Sequence, residues 1–522
     1  MKIDTVQKLD TEGTHGTDGA AAQPEILRDT AMEDSGGIPM PGNPNTGDPA
    51  EIVRRWRRIP SWAVIPGAFA LSAAIGWLLI GRDICTREAG FMAGIFALAA
   101  TLWVTEALPL FATSLLVIGL QAVLLANPGG WPGLGFESGV SPSYRTILNT
   151  AADPVLVLFF GGFVLAQAAV NERVDRAMSA LLLRPFGGQP RWVLLGIMLI
   201  TLLFGMWMSN TATATMMLAL VAPMLVALPP KEPFRKALVL AIPFTANISG
   251  MGTPIASPPN AVAVGFLQDS GHTVAFLDWM LVAGPLTLGL TLLTWVLLWR
   301  SFPPTTPGLR LEHAGAKLTP RGWLVVGVFT VTVLLWMSDS WHGLPPAVVA
   351  LLPAVVLTAT GVFTRDDLGR LEWRILILIA GGISLGMGMQ LTGLDQLIVR
   401  WLPTEGASTW SLLAALVLGT MAVGAFMSNT AASNLFLPIG ISSATLAGSD
   451  GLHPIQAAMS IALAASMSMA LPISTPPNAL AYAKGEFTTR EMVRVALIIS
   501  GLAAMLIVLG GGVVMRFWGV LR

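Results

Sequence analysis

Charge is scarce in this chain. Only 11% of its 522 residues are Asp, Glu, Lys or Arg, and 30 basic residues balance 30 acidic ones. A soluble domain carries about 25% charged residues, so the chain is not built for water on every side. Zero net charge removes the basic surface that nucleic acid would need. A single cysteine, Cys85, excludes an intramolecular disulfide framework. The five histidines show no metal-ligand spacing, and no nucleophile–base pair or zinc motif appears. That argues against an enzyme embedded in a membrane. There is no ring of charges or filter motif to suggest a channel.

Apolar sequence is abundant. Hydrophobic residues make up 54% of the chain, and mean hydropathy is +0.69. Apolar runs of about twenty residues, enough to span a bilayer, recur from Ser61 to Trp518. The fold class expected is an all-α polytopic membrane protein. Residues 1–52, rich in Gly, Pro, Asp and Thr, read as a disordered cytoplasmic tail. A first helix lies in 53–88, a first repeat in 89–300, a cytoplasmic linker in 301–320 and a second repeat in 321–522. Continuous helices are expected over 153–184, 344–362, 373–402 and 491–518. Hairpins are expected at 190–228 and 410–447, and interrupted helices at 234–268 and 456–484. This makes about eleven spans plus two re-entrant hairpins.

The repeats announce themselves through polar words inside apolar sequence. Ser209-Asn210-Thr211-Ala212 returns as Ser428-Asn429-Thr430-Ala431. Pro258-Pro259-Asn260 returns as Pro476-Pro477-Asn478, and Gly161-Gly162 as Gly381-Gly382. The interval from first copy to second is the same for all three motifs to within a position either way, so one block has been duplicated in register. Basic residues favour one side: the cluster Arg54, Arg55, Arg57, Arg58 and the loops around Lys231, Lys236 and Arg370 fall together, against few such as Arg82, Arg87 and Arg145 opposite. The positive-inside rule then puts the N-terminus in the cytoplasm and the C-terminus outside, and gives the two repeats opposite orientations. The location expected is the inner (plasma) membrane.

A broken helix in hydrocarbon frees backbone N–H and C=O groups, tolerated only inside protein or along a polar cavity. Half-helix N-termini attract carboxylates, and half-helix carbonyls suit sodium. The segments 205–215, 249–260, 424–434 and 471–478 carry no charge. They can therefore hold an anion through dipoles, hydroxyls and amides alone.

These paired motifs, with Trp103-Val104-Thr105-Glu106-Ala107-Leu108-Pro109, resemble the divalent anion/sodium symporters, the di-/tricarboxylate and sulfate carriers of the ion transporter superfamily. The resemblance covers about 60–520. It implies that Ser209, Asn210, Thr211, Ser428, Asn429, Thr430, Ser257, Thr475 and Pro476 contact a small dianion. It implies one sodium near Gly205, Ser209, Asn210 and Ala256, and another near Gly424, Met427, Asn429 and Ser474. It also implies a homodimer among membrane lipid and an elevator motion. No cofactor other than the coupling sodium is expected. Relatives often carry Ser and Thr four residues before the two SNT motifs; this chain has Gly205 and Gly424. The substrate expected is a C4-dicarboxylate such as succinate, malate or fumarate, imported with sodium. A sodium-independent exchanger, or a sulfate or citrate carrier of the same fold, stays open. Asp395 reads as a snorkelling end residue, and the glycine pairs as places where helices approach closely.

Overall fold

The computed structural model describes residues 61–308, 318–401, 408–446, 452–472 and 474–521. The expected tail at 1–52 lies outside them. Every regular element among the described residues is helical. Eight of the described helices are long and apolar enough to cross a membrane, and five shorter apolar helices accompany them.

Helix α1 (Ser61–Gly81) runs along the outside of the bundle, packed on α2 (Arg87–Thr105). Then follow α3 (Leu110–Leu124), the short α4 (Tyr144–Asn149), α5 (Pro154–Asn171) and α6 (Val174–Leu183). The first hairpin is α7 (Pro190–Gly205) and α8 (Asn210–Ala227). The first interrupted helix is α9 (Phe234–Ser249) and α10 (Pro258–Asp269), and α11 (Phe276–Ser301) closes the repeat.

The second repeat follows the same order. Its elements are α12 (Pro320–Met337), α13 (Pro346–Val349) with α14 (Leu351–Ala359), α15 (Arg365–Arg370), α16 (Trp373–Thr392) and α17 (Leu394–Trp401). The second hairpin is α18 (Thr409–Gly424) and α19 (Asn429–Leu446). The second interrupted helix is α20 (Pro454–Ser466) and α21 (Pro476–Tyr482). Last come α22 (Thr489–Met505) and, beyond a π-helical turn, α23 (Gly511–Phe517).

Local chemistry sets most of these boundaries. Asp153 and Thr319 cap α5 and α12, each followed by proline at the first helical position. That position needs no N–H donor. Thr364 and Thr488 start α15 and α22 with capping boxes. Four expected continuous helices are interrupted. The 153–184 segment breaks at Arg173, held left-handed at φ 54°, and 373–402 breaks at Gly393, φ 68°. The 344–362 segment splits around Ala350, because Pro353 has no N–H to offer the Val349 carbonyl. The 491–518 segment passes through the π turn at Leu506–Gly510.

The repeats interlock. Helix α3 packs on α16 of the other repeat, and reciprocally α5 packs on α13 and α14. The first glycine of each pair makes this possible. A Cβ on Gly161 would strike the Ala350 carbonyl, and one on Gly381 would strike the Ser114 side chain. The inner layer crosses over too: α8 meets α21, and α10 meets α19. Helix α9 lies at the centre, with all but one of its residues buried. Outside the bundle, the linker is pinned to the loop between α8 and α9. Glu232 accepts hydrogen bonds from the Thr305 N–H at 2.8 Å, the Thr305 hydroxyl and the Thr306 hydroxyl at 2.8 Å.

Candidate functional site

The two hairpin tips and the two helix breaks converge on one cavity of about 250 Å³. Ser209 and Ser428 are the N-caps of α8 and α19. Their hydroxyls accept from the N–H groups of Ala212 at 3.2 Å and Ala431 at 3.1 Å. This is why each SNT motif ends a hairpin: the serine satisfies one orphan donor of the helix it starts. The Pro-Pro pairs occupy the first two positions of α10 and α21, so they restart a helix rather than kink one. Asn260 and Asn478 then staple the loops in front of them. Asn260 donates to the carbonyls of Gly250 (2.8 Å) and Thr253 (2.7 Å), and Asn478 to those of Met469 (3.0 Å) and Leu471 (2.9 Å).

All nine residues expected to touch substrate line this cavity: Ser209, Asn210, Thr211, Ser257, Ser428, Asn429, Thr430, Thr475 and Pro476. Ala256 and Ser474, expected near the sodium ions, line it as well. Gly205, Gly424 and Met427 do not; they are buried behind the tips. Among the described residues, no Lys, Arg, Asp or Glu lines the cavity. Helices α8, α10 and α19 point their N-termini at it, and the short α21 also begins there. The side-chain oxygens of Asn210 and Asn429 are buried without a hydrogen-bond partner among the described residues. An orphaned carbonyl oxygen beside helix breaks fits a hard monovalent cation.

The sequence reading missed Asn247. This residue of α9 lines the cavity and is 1% exposed. Its amide nitrogen lies 3.2 Å from the Thr475 hydroxyl and 3.0 Å from the Asn478 side-chain oxygen, both in the other repeat. The matching bond joins the hydroxyls of Ser257 and Ser466 at 3.3 Å. Thus the residue before each Pro-Pro pair is held by the opposite repeat. The one sequence signal for Asn247 was an amide close behind the apolar run Ala237–Phe244.

Asp395 is corrected. It is 5% exposed rather than snorkelling, and Ser442 of α19 donates to its carboxylate. The second glycines, Gly162 and Gly382, face the inner layer. Ile255 lies 3.4 Å from a Cβ placed on Gly162, whereas a Cβ on Gly382 would strike the Asn434 amide. A second cavity, about 440 Å³, lies at the start of α5 and includes Asp339 and Gln268. Its carboxylate makes it the poorer place for an anion.

Comparison with known proteins identifies the family. An uncharacterized transporter, C3B8.04c, of Schizosaccharomyces pombe is 30% identical over 411 residues, which is 76% of this chain and 45% of that protein. The sodium-dependent dicarboxylate transporter SdcS of Staphylococcus aureus is 29% identical over 464 residues, 80% of this chain and 85% of SdcS. The crystal structure of the Alcanivorax borkumensis YdaH transporter superposes with a TM-score of 0.51 at 15% identity, covering 79% of this chain and 98% of that one. At that identity the likeness concerns the fold alone. The citrate transporter family, CitMHS, matches residues 100–444 and 333–521. The chain is a multi-pass membrane transporter and belongs to the CitMHS family.

Proposed function

We propose that this transporter carries small dianions, C4-dicarboxylates such as succinate, malate or fumarate, into the cell together with sodium. The observation that carries the reading is the uncharged cavity on which the N-termini of α8, α10 and α19 converge. Two SNT tips, one from each repeat, face it. Hydroxyl, amide and N–H donors from both repeats thus line one cavity, which supports binding of a molecule with a carboxylate at each end. Its volume of about 250 Å³ suits a compact solute. Sites for drug-sized ligands run to roughly 300–1,000 Å³. The relation to SdcS, named as a sodium-dependent dicarboxylate transporter, points the same way.

Sodium would be held at the buried oxygens of Asn210 and Asn429, with backbone carbonyls near Ala256 and Ser474. Its positive charge would offset one carboxylate and order the tips. Coupling then follows from a difference in sodium affinity between the two access states. The reciprocal bonds of Asn247 and Ser257 tie the two broken helices to each other, which supports a rigid transport unit moving against α5 and α16. On the positive-inside orientation the N-terminus is cytoplasmic. The cavity walls come from the middle and later turns of α5 and the first turns of α16, so it lies toward the cytoplasm. A homodimer would anchor the outer frame.

A second reading is favoured by Gly205 and Gly424, which bring no side-chain oxygen to the tips: exchange of dicarboxylates without sodium. Succinate uptake into proteoliposomes separates the two. Uptake that needs an inward sodium gradient and no internal succinate supports symport. Uptake that needs internal succinate and ignores sodium replaces symport with exchange. If citrate or sulfate is carried and succinate is not, the C4-dicarboxylate reading fails.

A further inference from the structure

Gly205 and Gly424 stand four residues before Ser209 and Ser428, and each faces a serine from the following helix break. A Cβ on Gly205 would collide with the Ser249 hydroxyl and lie 2.8 Å from the Ser249 Cβ. A Cβ on Gly424 would collide with the Ser468 hydroxyl and lie 2.8 Å from the Ser468 Cβ. The interval from Ser249 to Ser468 in the sequence equals that from Gly205 to Gly424, so the two contacts are copies of one another. Both serines are buried. Each occupies the point where a side chain at the glycine would begin.

A serine near a helix C-terminus commonly donates back to a carbonyl of the preceding turn. Both do: Ser249 to Ala246 at 2.7 Å, and Ser468 to Ala464 at 3.4 Å. That bond uses the proton and leaves the oxygen lone pairs to accept. It does not account for a glycine opposite each serine in both repeats. Side-chain oxygens nearby stand without a donor. In the first repeat the Asn210 amide lies against Gly250, next to Ser249, with its side-chain oxygen unpartnered. Thr213 touches the same spot with its methyl group, and its own hydroxyl is fully buried with no partner among the described residues. In the second repeat the Asn429 oxygen is likewise unpartnered, and Ala432 replaces Thr213.

We infer that Ser249 and Ser468 supply the side-chain oxygens of the two sodium sites, reaching across from the helix breaks to the place left open by Gly205 and Gly424. The inference rests on the sodium-coupled reading above and adds ligands to it. The glycines are required because any larger residue would displace the serine. Thr213 presents its methyl group, not its hydroxyl, to the first site, so both sites are expected to depend on their serines alike.

The test uses the full purified chain and two readouts: sodium-dependent thermal stabilisation against choline, and the sodium dependence of succinate uptake in proteoliposomes. Ser468→Ala should raise the half-saturating sodium concentration roughly 10–100-fold, the range seen when groups supporting a metal site are removed. Ser249→Ala should raise it by a similar factor. The paired exchanges Gly205→Ser with Ser249→Gly, and Gly424→Ser with Ser468→Gly, return an oxygen to the gap from the opposite wall. They should restore most of the sodium response, and they decide the matter if a single variant fails to fold. If sodium stabilises the parent and the serine variants give superimposable sodium curves, the assignment of Ser249 and Ser468 is wrong and sodium coupling stands. If the parent itself ignores sodium in both readouts, the sodium reading falls and this inference falls with it.

Discussion

The two hairpin tips share the run Met-Ser-Asn-Thr-Ala and differ in what surrounds them. At the first tip, Trp207 is held by aromatic rings. It stacks on Phe276 (6.2 Å between centroids) and Trp336 (6.4 Å) and meets Phe329 edge-on (5.7 Å). Thr253 also donates to the Met206 carbonyl at 2.6 Å, sewing the tip to its helix break. At the second tip the counterpart of Trp207 is Phe426, which is 76% exposed. The counterpart of Thr253 is Leu471, which has no hydroxyl. Capping chemistry is therefore duplicated, while the packing that steadies it is not. An internal repeat copies local instructions; its two copies then meet different neighbours.

The largest expected effect tests what the tips have in common. Asn210→Ala and Asn429→Ala should each abolish uptake while leaving the purified protein folded by circular dichroism and gel filtration. Normal uptake by either variant would remove that asparagine from the site. Next comes the contrast between the inner glycines. Gly382→Ala should cut transport severely, because its Cβ would meet the Asn434 amide, whereas Gly162→Ala has room at 3.4 Å from Ile255 and should retain most activity. Adding Asn434→Ala should recover function in the Gly382→Ala background, which uptake rates would show.

Packing at the tips separates them further. Trp207→Ala should destabilise the protein by about 3 kcal/mol through the lost ring contacts. Phe426→Ala should change stability by less than about 0.5 kcal/mol. Thermal unfolding in detergent would show whether that asymmetry is real. A smaller difference is expected across the repeats' exchanged bonds. Asn247→Ala leaves the Asn478 oxygen buried and unpaired, costing about 1–3 kcal/mol, while Ser466→Ala removes one hydroxyl pair, costing about 1 kcal/mol. Equal losses would mean that the two crossings carry equal weight.

The smallest effect concerns the linker. Burial pushes the Glu232 carboxyl up, but hydrogen bonds from Thr305 and Thr306 more than offset it and hold the group below the usual glutamate range. The contribution of a depressed acid is present above its unfolded value and lost as pH falls through its folded value. Acidification below the usual glutamate range should therefore lower the melting temperature of the parent more than that of Glu232→Gln. Parallel curves would show that the anchor is inert.

Much of the site was legible because it is built from short-range chemistry. A serine caps the helix that starts at the next residue, as Ser209 and Ser428 do, and a Pro-Pro pair that belongs to a helix fits best at its start. These rules act within one turn, so the residues announce their geometry wherever they stand in the fold. Repetition at a near-constant offset added the two-fold plan. The breaks at Arg173 and Gly393 were missed. Signals did stand there, the polar run Asn171-Glu172-Arg173 and a glycine after Thr392, but the apolar stretches on either side read as one span, and the chain turns at a single left-handed residue in each.

The sequence by itself determined the class of molecule, the duplicated polar motifs and the absence of charge in the segments that form the site. The tertiary structure alone decided which repeat completes which loop: Asn247 with Thr475, Ser257 with Ser466, and the serines at 249 and 468 against their glycines. Those partners come from separate helices, and the first two pairs join opposite halves of the chain, so no local pattern encodes them. They are chosen by burial, because a polar group placed in an apolar bundle must find its partner wherever the packing brings one within reach.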